Sequence, residues 1–137
     1  MSKKFESYGH EKFRIRYHLI FSTKYRLKLL NHIAKDLKAS MKRAESFQNK
    51  WTIELMEIDP SKPDHIHFLI RATPTCRVSD IIHLLKQTST YDMWKQHYSY
   101  MRRWYWRQHK LWTRGYFCST IGDVSEKRIS DYIKNQG

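Results

Sequence analysis

The sequence predicts an α+β fold in which a four-stranded antiparallel sheet carries helices on one face. Three observations predict it. Apolar residues recur every second position in some segments and every third or fourth in others. Turn-forming residues separate those segments, so the connections are short. With 137 residues, the chain is one domain spanning 1–137, large enough for one sheet-and-helix core and too short for two.

Residues 1–12 are polar and charged and read as a loose basic tail. From Phe13 to Thr23, Ile15, Tyr17, Leu19 and Phe21 take one face and Arg14, Arg16, His18 and Ser22 the other, interrupted only by Ile20. This alternation predicts a half-buried strand with a basic outer face. Lys24-Tyr25-Arg26-Leu27-Lys28 follows as a basic connection. Leu30, Ile33, Ala34, Leu37, Met41, Ala44 and Phe47 then predict an amphipathic helix over residues 31–48, with Lys35, Lys38, Lys42 and Arg43 outward. Strand formers fill Trp51 to Ile58, and Asp59-Pro60-Ser61-Lys62-Pro63 is built for a turn. The next strand, Asp64-His65-Ile66-His67-Phe68-Leu69-Ile70, sets His65, His67 and Leu69 against Ile66, Phe68 and Ile70. After Thr73-Pro74-Thr75, a second helix begins near Val78 and runs to about Tyr98, with Thr75 or Ser79 as candidate caps. Residues 99–112 are dense in aromatics and cations without a clean period and read as a loop containing at most a short regular piece. Residues 116–121 form a fourth strand, and Ser125 can cap a final helix to about Gln136. The order βαββαβ, with an added C-terminal helix, is the ferredoxin-like or RRM-like arrangement. Connection rules place the first and third strands side by side at the centre of the sheet.

Lys and Arg number 26 against 13 Asp and Glu, a formal charge of +13 that points to a polyanionic partner. No apolar run approaches the roughly 20 residues of a spanning helix, and the first residues lack a signal-peptide core. The expectation is a cytoplasmic protein of a bacterial or archaeal cell, working at the nucleoid with no membrane partner. Cys76 and Cys118 lie in unrelated contexts and read as reduced, structural thiols.

Two histidines at i and i+2 on one strand point the same way, about 6.5 to 7 Å apart along the backbone, so their imidazoles can converge on one ion. Without a third donor, His65 and His67 read equally as a half-exposed sheet surface. On the last helix Arg128, Tyr132 and Gln136 recur every four residues and share a face, while Val124, Ile129 and Ile133 form the packing face. A phenol with a pKa near 10 is a poor nucleophile at neutral pH and needs an activating environment and a Lewis acid on its target. An ion held by two imidazoles and an amide oxygen suits that task, and Mg²⁺ or Mn²⁺ fits such donors on a phosphate. On spacing alone a tyrosine in a terminal helix, such as Tyr132, is more often a packing residue.

The chain resembles the HUH single-tyrosine transposases of the insertion sequence 200/605 type (TnpA). The resemblance rests on Tyr17-His18-Leu19-Ile20-Phe21-Ser22-Thr23-Lys24-Tyr25-Arg26, Asp64-His65-Ile66-His67-Phe68-Leu69-Ile70, Leu85-Lys86-Gln87-Thr88-Ser89-Thr90, Leu111-Trp112-Thr113-Arg114-Gly115-Tyr116-Phe117 and Tyr132-Ile133-Lys134-Asn135-Gln136, which span nearly the whole chain. It implies that His65, His67 and Gln136 bind the metal and that Tyr132 attacks a DNA phosphate, leaving a 5′-phosphotyrosine link and a free 3′-hydroxyl. It also implies a homodimer with a merged sheet, acting on single-stranded, hairpin-bearing ends of a mobile element.

For DNA contact the candidates are Arg14, Arg16, Lys24, Tyr25 and Arg26, and the segment holding Arg102, Arg103, Trp104 and Arg107 interleaved with Tyr105 and Trp106. Stacking on unpaired bases suits these aromatics, but core or dimer packing suits the tryptophans nearly as well. Asp64 either orients a histidine or simply begins its strand. Competing readings are a repeat-associated tyrosine transposase or other HUH nickase, and a non-catalytic single-stranded nucleic-acid-binding module, which this sheet also serves.

Overall fold

The structure is a computed structural model, and it describes residues 15–121. Strand β1 (Ile15–Ser22) leads through a single 3₁₀ turn, Lys24–Arg26, to helix α1 (Leu30–Glu45). Strands β2 (Trp51–Glu57) and β3 (His65–Ala72) form a hairpin, followed by α2 (Val78–Gln96), α3 (Tyr98–Trp104) and strand β4 (Phe117–Ile121). The sheet order is β2-β3-β1-β4, with all neighbours antiparallel. The first and third strands are therefore central, as the connection rules require. Among the described residues no helix is long and apolar enough to cross a membrane.

Period-two alternation separates the two faces of this sheet. Leu19 and Phe21 of β1 and Ile66, Phe68 and Ile70 of β3 are fully buried, in one cluster with Ile33, Leu37 and Met41 of α1 and Ile81 and Leu85 of α2. Phe21 and Phe68 meet at a centroid distance of 5.0 Å. Asp92 of α2 ties the two helices together, accepting from Ser40 at 2.7 Å and from two nitrogens of Arg43 at 2.9 and 2.7 Å. The opposite face carries Arg16, His18, His65 and His67, with Leu69 packed against Leu55 and Ile121.

One local expectation is corrected, the cap of the second helix, and two are sharpened. The second helix has Arg77 at its N-cap position, with no side-chain cap from Thr75 or Ser79; instead Arg77 lies 3.5 Å from Asp80 in the first turn. That helix breaks at His97, where φ is −129° and ψ 43°, and the segment read as a loop begins with the short α3. Dense aromatics hid the period there, because Met101 and Tyr105 turn into the core while Arg102 and Arg103 face out. The tail at 1–12 and the final helix lie outside the described residues.

Candidate active site

Strand β3 delivers His65 and His67 to the sheet face away from the helices. Their rings are 5.0 Å apart between centroids and edge-to-face. Each is held from its Nδ1 side. His65 Nδ1 donates to Asp64 Oδ1 at 2.7 Å, so Asp64 orients a histidine and does more than open the strand. His67 Nδ1 lies 3.1 Å from His18 Nε2. The β1–β3 register pairs Ile20 with His67 and His18 with Leu69, which makes His18 a diagonal neighbour of His67 on the same face.

His67 is only 3% exposed, and its Nε2 is buried without a hydrogen-bond partner among the described residues. Burial, together with the neighbouring His65 and His18 rings, pushes its pKa down to about 4, so the ring is neutral at physiological pH. A neutral imidazole is the form that binds a cation, through whichever ring nitrogen carries the lone pair. Burial also lowers the pKa of His18. For Asp64, burial raises the pKa, but hydrogen bonds from His65 and Arg26 and the charge of Arg26 outweigh it and hold the carboxyl below its ordinary value. Among the described residues no set of three His, Cys, Asp or Glu side chains is arranged to hold a metal.

The basic connection after β1 borders this pair. Arg26 Nε reaches Asp64 Oδ2 at 3.2 Å, and the Thr23 amide donates to the Asp64 carbonyl at 2.8 Å. Tyr25 and Arg26 both sit at positive φ, 65° and 54°, a left-handed conformation that is costly for residues with side chains. The surroundings impose it: Thr23 Oγ1 donates to the Leu27 carbonyl and the Tyr105 hydroxyl to the Lys24 carbonyl, each at 2.8 Å. The outcome is a Tyr25 ring 69% exposed, with Lys24 Nζ 5.3 Å from its centroid, one residue from an arginine tied to the His65 partner.

Two expected contact residues are placed differently. Arg16 does not present a basic outer face; it is 8% exposed and its Nε bonds Glu54 Oε1 at 2.8 Å. The cause is a register shift between Ile53 and Leu55 in β2, which brings Glu54 to the place where Arg16 and Arg71 face each other across the β1–β3 pair. Like charges directly opposite repel, and the carboxylate relieves this. Trp104 is half-buried against the core beside Tyr100. The tryptophan open to solvent is Trp106, 68% exposed, with the Arg107 guanidinium 4.7 Å from its centroid. Arg102 and Arg103 are exposed on α3. Arg14, Tyr132 and Gln136 lie outside the described residues.

His18 was missed as a site residue because its strand position reads as one of several polar outward residues; its shared parity with His67 across adjacent strands was the available signal. The segment Leu85–Thr90, to which the sequence assigned no chemistry, has a structural role. Lys86 Nζ donates to the carbonyls of Thr113, Arg114 and Gly115 at 2.9, 3.1 and 3.0 Å, closing the loop before β4. Ser89 Oγ accepts from Trp112 Nε1 at 2.9 Å.

Residues 11–136 match the family described as Transposase IS200 like. The chain is 31% identical over 125 residues to the ISDra2 transposase TnpA of Deinococcus radiodurans, covering 90% of this chain and 85% of that one. It is 29% identical over 132 residues to the transposase for insertion sequence element IS200 of Salmonella typhimurium, covering 96% and 82%. Among solved structures, a Deinococcus radiodurans protein assigned as a transposase superposes with a TM-score of 0.69 at 28% identity, covering 90% of this chain and 92% of that one. A repeat-associated (REP) tyrosine transposase bound to a REP hairpin shares the fold, with a TM-score of 0.57 at 13% identity over 88% of this chain and 67% of that one.

Proposed function

From the premise that this chain belongs to the IS200-like transposase family, we propose that it cleaves and rejoins single-stranded DNA at the ends of an insertion sequence, through a covalent bond between Tyr132 and a 5′-phosphate. The observation that carries this reading is the histidine pair. Both rings are gripped at Nδ1, and the buried Nε2 of His67 has no partner among the described residues. That donor chemistry fits a divalent cation, Mg²⁺ or Mn²⁺, with the Gln136 amide oxygen as third donor. Such an ion would withdraw charge from the scissile phosphate.

The chain's own residues then divide the work. The Tyr132 oxygen forms the new bond to phosphorus and its proton passes to solvent or a neighbouring base, while the bond from phosphorus to the 3′-oxygen breaks and that oxygen leaves as a hydroxyl. Rejoining runs the same exchange backwards with a different 3′-hydroxyl, so the phosphoester bond energy is kept in the tyrosine link. Lys24, Tyr25 and Arg26, with Trp106 and Arg107, offer cations and open rings for a strand whose bases are unpaired. The REP transposase neighbour binds a hairpin, and hairpin-bearing ends are the substrate proposed for this chain. The working unit is a homodimer with a merged sheet, in which the Tyr132 helix of one subunit can complete the site of the other.

Incubating the protein with labelled single-stranded element ends and Mn²⁺ should give a covalent protein–DNA adduct on a denaturing gel, absent in Tyr132→Phe. No adduct with the wild type, or an undiminished one in Tyr132→Phe, would defeat the mechanism. Mixing Tyr132→Phe with His65→Ala subunits should regain adduct if sites are shared across the dimer; no recovery would place each site within one subunit.

A further inference from the structure

We propose that His18 is a positioning residue that fixes His67 with its Nε2 lone pair turned to the metal position. This rests on the metal-site reading above. His18 is fully buried, where an imidazole is tolerated only when its nitrogens are engaged. Its Nε2 meets His67 Nδ1 at 3.1 Å, with the ring planes 18° apart, and Phe117 packs edge-on at 5.7 Å. β1 and β3 are the two central strands, paired over their full length without a register shift, so the spacing between the two rings is set by a continuous ladder.

A hydrogen bond between two neutral imidazoles uses one N–H and one lone pair, and only two arrangements exist. If His18 Nε2 donates, His67 carries its own proton on Nε2, a buried N–H with no acceptor among the described residues and no capacity to bind a cation. If His67 Nδ1 donates, His18 Nε2 accepts and His67 Nε2 is left as a lone pair. Only the second arrangement turns the unpartnered atom into a ligand. His18 thus does for His67 what Asp64 does for His65, with one difference: a neutral ring orients without adding negative charge, whereas Asp64 brings a carboxylate already shared with Arg26.

Long-range ¹H–¹⁵N spectra of the metal-free full chain, labelled at histidine, read the tautomer directly. His67 should carry its proton on Nδ1, and a proton on Nε2 would overturn the proposal whatever the metal does. In Mn²⁺ titrations, His18→Leu, whose side chain suits the neighbouring Leu69, should bind about 10- to 100-fold more weakly. His18→Gln, which returns an acceptor near the position of Nε2, should stay close to wild type. Undiminished Mn²⁺ binding by His18→Leu would also overturn it, and should that variant not fold, the wild-type tautomer decides alone. Failure of the metal-site reading looks different: Mn²⁺ binding unchanged in His65→Ala and His67→Ala.

Discussion

The two faces of the central sheet are buried to almost the same degree yet are made of opposite materials. On the helix side, Leu19, Phe21, Ile66, Phe68 and Ile70 join one apolar cluster and fill the core. One residue along the same strands, the other side buries His18, His67 and Arg16, each polar and each fixed by a directed contact. Burial alone therefore does not mark the site. What marks it is burial of a polar atom, His67 Nε2, that no described residue pairs, because such an atom costs free energy unless it finds a partner.

The contrast breaks most sharply under paired substitutions on β3. Phe68→Ala should cost roughly 3–5 kcal/mol of stability, measured by urea denaturation, with the site chemistry surviving wherever the protein remains folded. His67→Gln should remove adduct formation while changing stability far less than Phe68→Ala. If the two variants lose stability equally, the histidine face is a second core and the division of labour is wrong.

A smaller effect should come from Asp64→Asn. The amide keeps an acceptor for His65 but loses the charge, and Mn²⁺ affinity should fall by about 10- to 100-fold in a calorimetric titration. An unchanged affinity would mean that Asp64 serves the Arg26 turn alone.

The smallest effect is on stability against pH in the metal-free protein. His67 holds its pKa at about 4 in the fold, below the ordinary value of about 6.5 for an unfolded chain. Between those values the unfolded state takes up a proton that the native state refuses, so stability is full above about pH 6.5 and declines as pH falls toward about 4. His18, lowered in the same direction, adds to the slope. Thermal melts should show this decline reduced in His67→Gln; an identical slope in both proteins would remove His67 as its source.

Much of this division was legible in the sequence, because the period of two in Ile15–Phe21 and His65–Ile70 assigns both faces, and connection rules then fix which strands are central. The pairing of His65 with His67 followed from their spacing. The place of Arg16 did not, since it depends on a bulge that one strand's pattern cannot reveal: the shift at Ile53/Leu55 supplies Glu54 from a different strand. Likewise the bounds of α3 were not legible, because its buried Met101, with Tyr105 just beyond its end, is outnumbered by exposed cations and rings. The strained Lys24–Arg26 turn has no signature either, as neither Tyr25 nor Arg26 favours positive φ; tertiary hydrogen bonds from Thr23 and Tyr105 impose it. Tyr132 and Gln136 come from the sequence and the family alone, since they lie outside the described residues.

The central claim is that the unpaired histidine edge binds the ion on which strand cleavage depends. The direct measurement is adduct yield on a labelled single strand as Mn²⁺ is returned to chelator-treated protein. Wild type should go from no adduct to full yield with saturation, and His65→Ala and His67→Ala should stay at background at every concentration. Adduct formed at full yield in the chelator, or by either histidine variant, would contradict the account.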